Sequence, residues 1–153
     1  MKNFDYTSAG AYYVTICTAQ RIHSLSRIIE QEVHLSTLGC IVEEEWLRAE
    51  TIREYIHIGA YVIMPNHIHG LVYINDVDRS NTNDRSTTLA PRSLGAVIGQ
   101  FKRATTARAR QLGIEPPNGI WQRNFYEHIV RNDADHSRIV AYIAANPRRW
   151  GYS

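Results

Sequence analysis

Two histidines one residue apart, His67 and His69, and a tyrosine and an asparagine four residues apart, Tyr142 and Asn146, have the types and spacing for chemistry. On a strand, the two-residue period turns both imidazoles to one face and Ile68 to the other. Neutral imidazoles ligate divalent metals, and two from one strand make a compact half-site. On a helix, residues four apart share a face, so Tyr142 and Asn146 would present a phenol and an amide oxygen together. The amide oxygen can ligate a hard cation, and a deprotonated phenol is a nucleophile for a phosphodiester. Each feature also has an ordinary reading as surface or packing residues. A phenol has a reference pKa of about 10, so its attack needs metal polarisation or a base. His128 and His136 lie near enough in sequence to be considered, although His136 falls on a different helix face from Tyr142. Tyr126, beside Phe125, is the rival nucleophile.

The elements that must position these groups follow from hydrophobic patterning. AYYVTICT, residues 11–18, is aromatic and β-branched and reads as a first strand. A polar turn region follows. Leu38, Ile41, Val42, Trp46 and Ala49 then recur at helical spacing over 36–54, with Glu43, Glu44 and Glu45 on a side expected to face solvent. Gly39 weakens the first turn of that helix. YIHIGAYVIM, residues 55–64, and HIHGLVYI, residues 67–74, read as antiparallel strands across a tight Pro65–Asn66 break. Residues 75–92 are polar and aperiodic, which predicts a loop. Ser93 can cap a helix running to about Leu112, before Gly113 and the Pro116–Pro117 pair. WQRNFYEHIVRN, residues 121–132, holds a short strand. A last helix is expected from Asp133 or Asp135 to Ala145, stopping before Asn146–Pro147. The order β-α-β-β-α-β-α predicts an α+β fold of the ferredoxin-like, split βαβ kind, with a C-terminal helix added to an antiparallel sheet.

The 153 residues suit one domain over 1–153. No apolar run nears the roughly 18 residues of a membrane span, and the N-terminus has no secretory apolar core. A cytoplasmic protein with no membrane partner is expected. Cys17 and Cys40 lack metal or redox spacing and read as reduced core or near-core thiols. The net charge of +2 conceals an asymmetry. Residues 1–90 carry 7 basic and 11 acidic side chains, whereas residues 91–153 carry 10 and 4. A basic C-terminal half suits a face directed at phosphates. Lys102, Arg103, Arg108, Arg110, Arg123, Arg131, Arg148 and Arg149 are its candidate nucleic-acid contacts. Trp121 and Phe125 read as core residues first and base-stacking residues second.

Six stretches carry a family resemblance: YVTICT, GCIVEEEW, YVIMPNHIHGLVYI, SLGAVIGQFKRAT, IWQRNFYEHIVRN and YIAANPRRW. In this order they cover most of the chain. MPNHIHG, followed about fifty residues later by WQRNFYEHIVRN and then YI-x-x-NP, is the most specific set. The sequence resembles the REP-associated tyrosine transposases, relatives of the single-tyrosine transposases of insertion sequences. The family's aromatic-glycine step near residues 25–28 is replaced here by SLSR, in an expected turn.

The resemblance implies a ferredoxin-like α+β domain with a metal held by His67, His69 and Asn146 and a nucleophile at Tyr142. Mg²⁺ is the implied ion, with Mn²⁺ the better match to two imidazoles. The implied reaction is single-strand DNA nicking and strand transfer through a 5′-phosphotyrosine, on single-stranded or hairpin DNA. Family members work as monomers or homodimers. A replication initiator or relaxase would use the same groups, and a non-catalytic nucleic-acid-binding module is the remaining reading.

Overall fold

The computed structural model describes residues 9–75 and 94–150. The expected loop beyond Asn75 and the Ser93 cap lie outside the described residues. The elements are β1 (Ala9–Cys17), β2 (Ser26–Ile29), β3 (Glu32–Leu35), α1 (Thr37–Ile52), β4 (Ile56–Met64) and β5 (His67–Asn75), then α2 (Leu94–Gln111), β6 (Tyr126–Ile129) and α3 (Asp133–Arg149). The main sheet has the order β4-β5-β1-β6, antiparallel throughout. This is the split βαβ arrangement expected from the element order.

Period-two alternation sorts each strand between two apolar layers. Val14, Ile16, Ile56, Ile63, Ile68, Val72 and Ile74 pack on Leu38, Val42 and Trp46 of α1 and on Val97, Ile98 and Phe101 of α2. On the opposite face, Ala11, Leu71 and Tyr73 pack on Ile139 and Ile143 of α3. Two helices therefore cover one face and the C-terminal helix covers the other. Every large side chain withdrawn from water here contributes about 1.5–3 kcal/mol, so the placement of α3 is strongly specified. A bulge between Ile58 and Tyr61 of β4 rephases the strand. There a Cβ on Gly70 would stand 2.6 Å from the Tyr61 Cβ, so glycine is required.

Several expectations need correcting. The presumed polar turn after β1, including residues 25–28, holds the β2–β3 hairpin, whose turn residues Glu30 and Gln31 both have positive φ. Gly39 does more than weaken a first turn. Its missing Cβ would lie 2.0 Å from the Leu25 carbonyl oxygen, so the glycine lets α1 begin against that chain while Ser36 Oγ caps it through the Gly39 N–H at 2.9 Å.

The acidic side of α1 is not simply solvated. Glu45 is buried and pairs with Arg108 at 3.0 Å, Glu44 pairs with Arg108 at 2.8 Å, and Glu43 accepts from the Tyr61 hydroxyl at 2.9 Å. Cys17 is buried as expected, but Cys40 is exposed. The last helix continues to Arg149 with Pro147 inside it. Proline forfeits one backbone donor near the helix end, and the buried Ile143 keeps the preceding turn on the sheet. Asn132, rather than Asp133 or Asp135, is its N-cap, accepting from the Asp135 N–H at 2.8 Å. Among the described residues, no helix is long and apolar enough to cross a membrane.

Candidate active site

His67 and His69 open β5, with Ile68 between them fully buried on the α1–α2 side. Both imidazoles therefore lie on the face that α3 crosses, with ring centroids 5.0 Å apart. The ladder places Cys17 opposite His67, Thr15 opposite His69 and Tyr13 opposite Leu71, so three β1 side chains share that face.

Each imidazole is held through Nδ1. His67 Nδ1 lies 2.8 Å from Asn66 Oδ1, and His69 Nδ1 lies 2.6 Å from the Tyr13 hydroxyl. The Asn66 oxygen accepts, which leaves a lone pair on His67 Nε2. Burial first, and the nearby Arg21 charge second, push His67 down to about 4. Burial and its neighbour His67 push His69 down to about 3. Both rings are thus neutral near pH 7, the form that ligates metals. His69 Nε2 is buried without a hydrogen-bond partner among the described residues. Such an orphan costs roughly 1–3 kcal/mol, and coordination would satisfy it.

Among the described residues, no three His, Cys, Asp or Glu side chains are grouped to hold a metal ion. A cation at the histidine pair would need donors of another kind. On α3, Asn146 Nδ2 faces the Tyr142 carbonyl at a long 3.4 Å.

Helix α3 brings Tyr142 to the pair. The Tyr142 ring lies 5.8 Å from the His69 ring and 6.5 Å from the Tyr13 ring, both edge to face. The Arg149 guanidinium carbon sits 5.6 Å from its centroid. At 45% exposure, the Tyr142 ring is accessible to a large substrate. Its rival Tyr126, on β6, is 65% exposed and pairs with Thr15 of β1. With β1 between them, its backbone is two strand spacings, about 10 Å, from β5.

The two nearby histidines have structural contacts. His128 Nε2 meets Asp135 Oδ2 at 2.9 Å, and His136 Nε2 meets the Tyr73 hydroxyl at 2.7 Å. Trp121 donates to Thr105 Oγ1 at 2.8 Å and lies against Phe101, as a core residue does.

The basic residues divide into two groups. Lys102 Nζ donates to the carbonyls of Gln122, Arg123 and Asn124, and Arg108 is engaged by Glu44 and Glu45. Arg110 forms a two-pronged pair with Glu115. Arg103 and Arg123 line a cleft of about 390 Å³ between α2 and residues 119–123, whose wall Lys102 and Arg110 share. Arg131, Arg148 and Arg149 are exposed on or near α3. Tyr13, Asn66 and Arg21 were not selected from the sequence. Their common signal is the β1–β5 register and the turns at its end, which no local pattern contains.

No protein-family model matches the chain. It is 30% identical, over 99% of its length and 79% of the relative, to a candidate REP-associated tyrosine transposase of Haemophilus influenzae. It is also 32% identical to an uncharacterized protein of the same organism, covering 98% of this chain and 87% of that one. Among solved structures, a REP-associated tyrosine transposase bound to a REP hairpin matches with a TM-score of 0.64 and 21% identity, over 94% of this chain and 70% of the other. A candidate transposase from Deinococcus radiodurans matches with a TM-score of 0.54 and 14% identity, over 92% of each chain. The structural matches speak for a shared fold.

Proposed function

The chain belongs to the REP-associated tyrosine transposase family, and we propose that it nicks single-stranded DNA with Tyr142 and transfers the cut strand through a covalent intermediate. The observation that carries this reading is the meeting of Tyr142 from α3 with His69 from β5, ring to ring at 5.8 Å. The two lie 73 positions apart in the chain (142 − 69), so the fold alone assembles them.

His67 and His69, with Asn146, would hold a Mg²⁺ or Mn²⁺ ion. Such an ion supplies Lewis-acid stabilisation of charge on the nonbridging phosphate oxygens. Tyr142 attacks phosphorus through its phenolic oxygen, giving up its proton. The bond between phosphorus and the 3′ oxygen breaks, and that oxygen takes up a proton to leave a 3′-hydroxyl. The 5′ side remains esterified to tyrosine. Attack by another 3′-hydroxyl reverses the bond changes and joins a new strand, with no nucleotide hydrolysed. Asn66 and Tyr13 keep the imidazoles oriented throughout.

The substrate is single-stranded or hairpin-forming DNA. Arg103, Arg123, Arg131, Arg148 and Arg149 are the favoured phosphate contacts, because Lys102, Arg108 and Arg110 are engaged within the protein. The hairpin bound by the REP-associated relative supports that substrate class. Incubation with labelled single strands carrying palindromic repeats, in Mg²⁺ or Mn²⁺, tests the reading. Wild type should form an adduct resistant to denaturation, and His67→Ala should form little. A binding module would retain the strand without any adduct.

A further inference from the structure

Just after β1, the chain enters a short 3-10 turn, Ala19–Arg21, where neither Gln20 nor Arg21 is glycine yet both have positive φ, 56° and 55°. Left-handed backbone costs an L-residue roughly 1–2 kcal/mol, and such residues persist only where their surroundings over-determine them. The braces are visible. Thr18 Oγ1 donates to the carbonyls of Ile22 at 2.9 Å and Asn66 at 3.2 Å. Ala19 N–H donates to the Ile120 carbonyl at 2.8 Å. Gln122 Nε2 reaches the Thr18 carbonyl at 3.2 Å, and Asn118 Nδ2 reaches Gln20 Oε1 at 3.1 Å. The turn is clamped between the β4–β5 connection and the loop before β6.

The result is the placement of one charge. Arg21 is exposed, and its guanidinium donates to Cys17 Sγ at 3.1 Å. Cys17 faces His67 across the β1–β5 ladder. A thiol is a weak acceptor, so this bond alone does not account for such a heavily braced turn. Two cations beside each other, a guanidinium and a metal on the histidines, repel unless an anion lies between them.

We propose that Arg21 is a catalytic residue that donates to a nonbridging oxygen of the scissile phosphate from the Cys17 side of the His67–His69 pair. The inference rests on the nicking reaction above and adds a second source of positive charge for it. Arginine suits the task because its planar fork matches phosphate oxygens and keeps its charge at any working pH.

The test compares two single-stranded hairpin substrates, one with the natural scissile phosphodiester and one with a methylphosphonate there, which lacks the charged nonbridging oxygen. Arg21→Gln keeps a donor for Cys17 Sγ, and Arg21→Lys keeps the charge. Adduct formation by Arg21→Gln should fall about a hundredfold on the phosphodiester, with partial recovery in Arg21→Lys. On the methylphosphonate, Arg21→Gln and wild type should agree within roughly threefold, because the charge that Arg21 meets is gone. An equal loss on both substrates would show a structural role and overturn the proposal. So would full activity of Arg21→Gln beside an active wild type, which leaves the nicking reading intact. No adduct from wild type would remove both.

Discussion

The Tyr13 hydroxyl lies 2.6 Å from His69 Nδ1 while the Tyr13 ring lies edge-on to that of Tyr142. One β1 side chain therefore touches both a proposed metal ligand and the proposed nucleophile. Burial pushes the Tyr13 phenol up to about 12, so it stays protonated and serves as a fixed hydrogen-bonding group.

Tyr13→Phe removes this bond with little change in volume. Partners of metal-bound histidines typically contribute 10–100-fold in affinity. Mn²⁺ affinity, followed by calorimetry without DNA, should weaken by about tenfold or more, and the metal-free protein should lose roughly 1–3 kcal/mol of stability because the buried His69 Nδ1 is left without its partner. Unchanged Mn²⁺ affinity would mean that Tyr13 does not orient His69.

Arg108 tests the division of the basic residues. Its removal leaves Glu45, nearly inaccessible to solvent, without that guanidinium. Arg108 is itself partly exposed, so screening reduces the loss. Arg108→Ala should cost about 1–2 kcal/mol in denaturant unfolding and scarcely change single-strand DNA affinity. Arg123→Ala should show the reverse pattern, with weaker binding and a shallower dependence on salt. Equal effects of both changes on DNA affinity would refute the division.

Asp135 supplies the pH dependence. Its hydrogen bond with His128 is the largest cause that holds its carboxyl below the usual range, helped by the Arg131 N–H and the Arg138 guanidinium. A carboxyl depressed on folding stabilises the protein above its unfolded pKa of about 3.9 and loses that contribution as pH falls through the folded value. Asp135→Asn should therefore destabilise at pH 7 and have a smaller effect near pH 3, read from chemical denaturation. A penalty independent of pH would point to packing alone.

How much of this was legible in the sequence depends on the range over which each signal acts. The shared face of His67 and His69 follows from strand period, and the Tyr142–Asn146 spacing follows from helix period. Both are local, and the fold order came from them and their neighbours. Tyr13 was not legible as a site residue, because its partner lies 56 positions away and only the β1–β5 register joins them. The Arg21 turn was hidden by its lack of glycine, since distant hydrogen bonds, and not local residue type, hold its positive φ. Pro147 misled in the opposite sense. A rule about local backbone donors predicted an end at Ala145, and packing of α3 on the sheet carried the helix to Arg149.

The most direct measurement locates the covalent bond. The protein–DNA adduct should be trapped, digested with nuclease and protease, and mapped by tandem mass spectrometry to the residue that carries the nucleotide. The residual 5′-phosphate mass should lie on Tyr142, and Tyr142→Phe should yield no modified peptide. A modification on Tyr126, or one that persists after Tyr142→Phe, would contradict the assignment of the nucleophile.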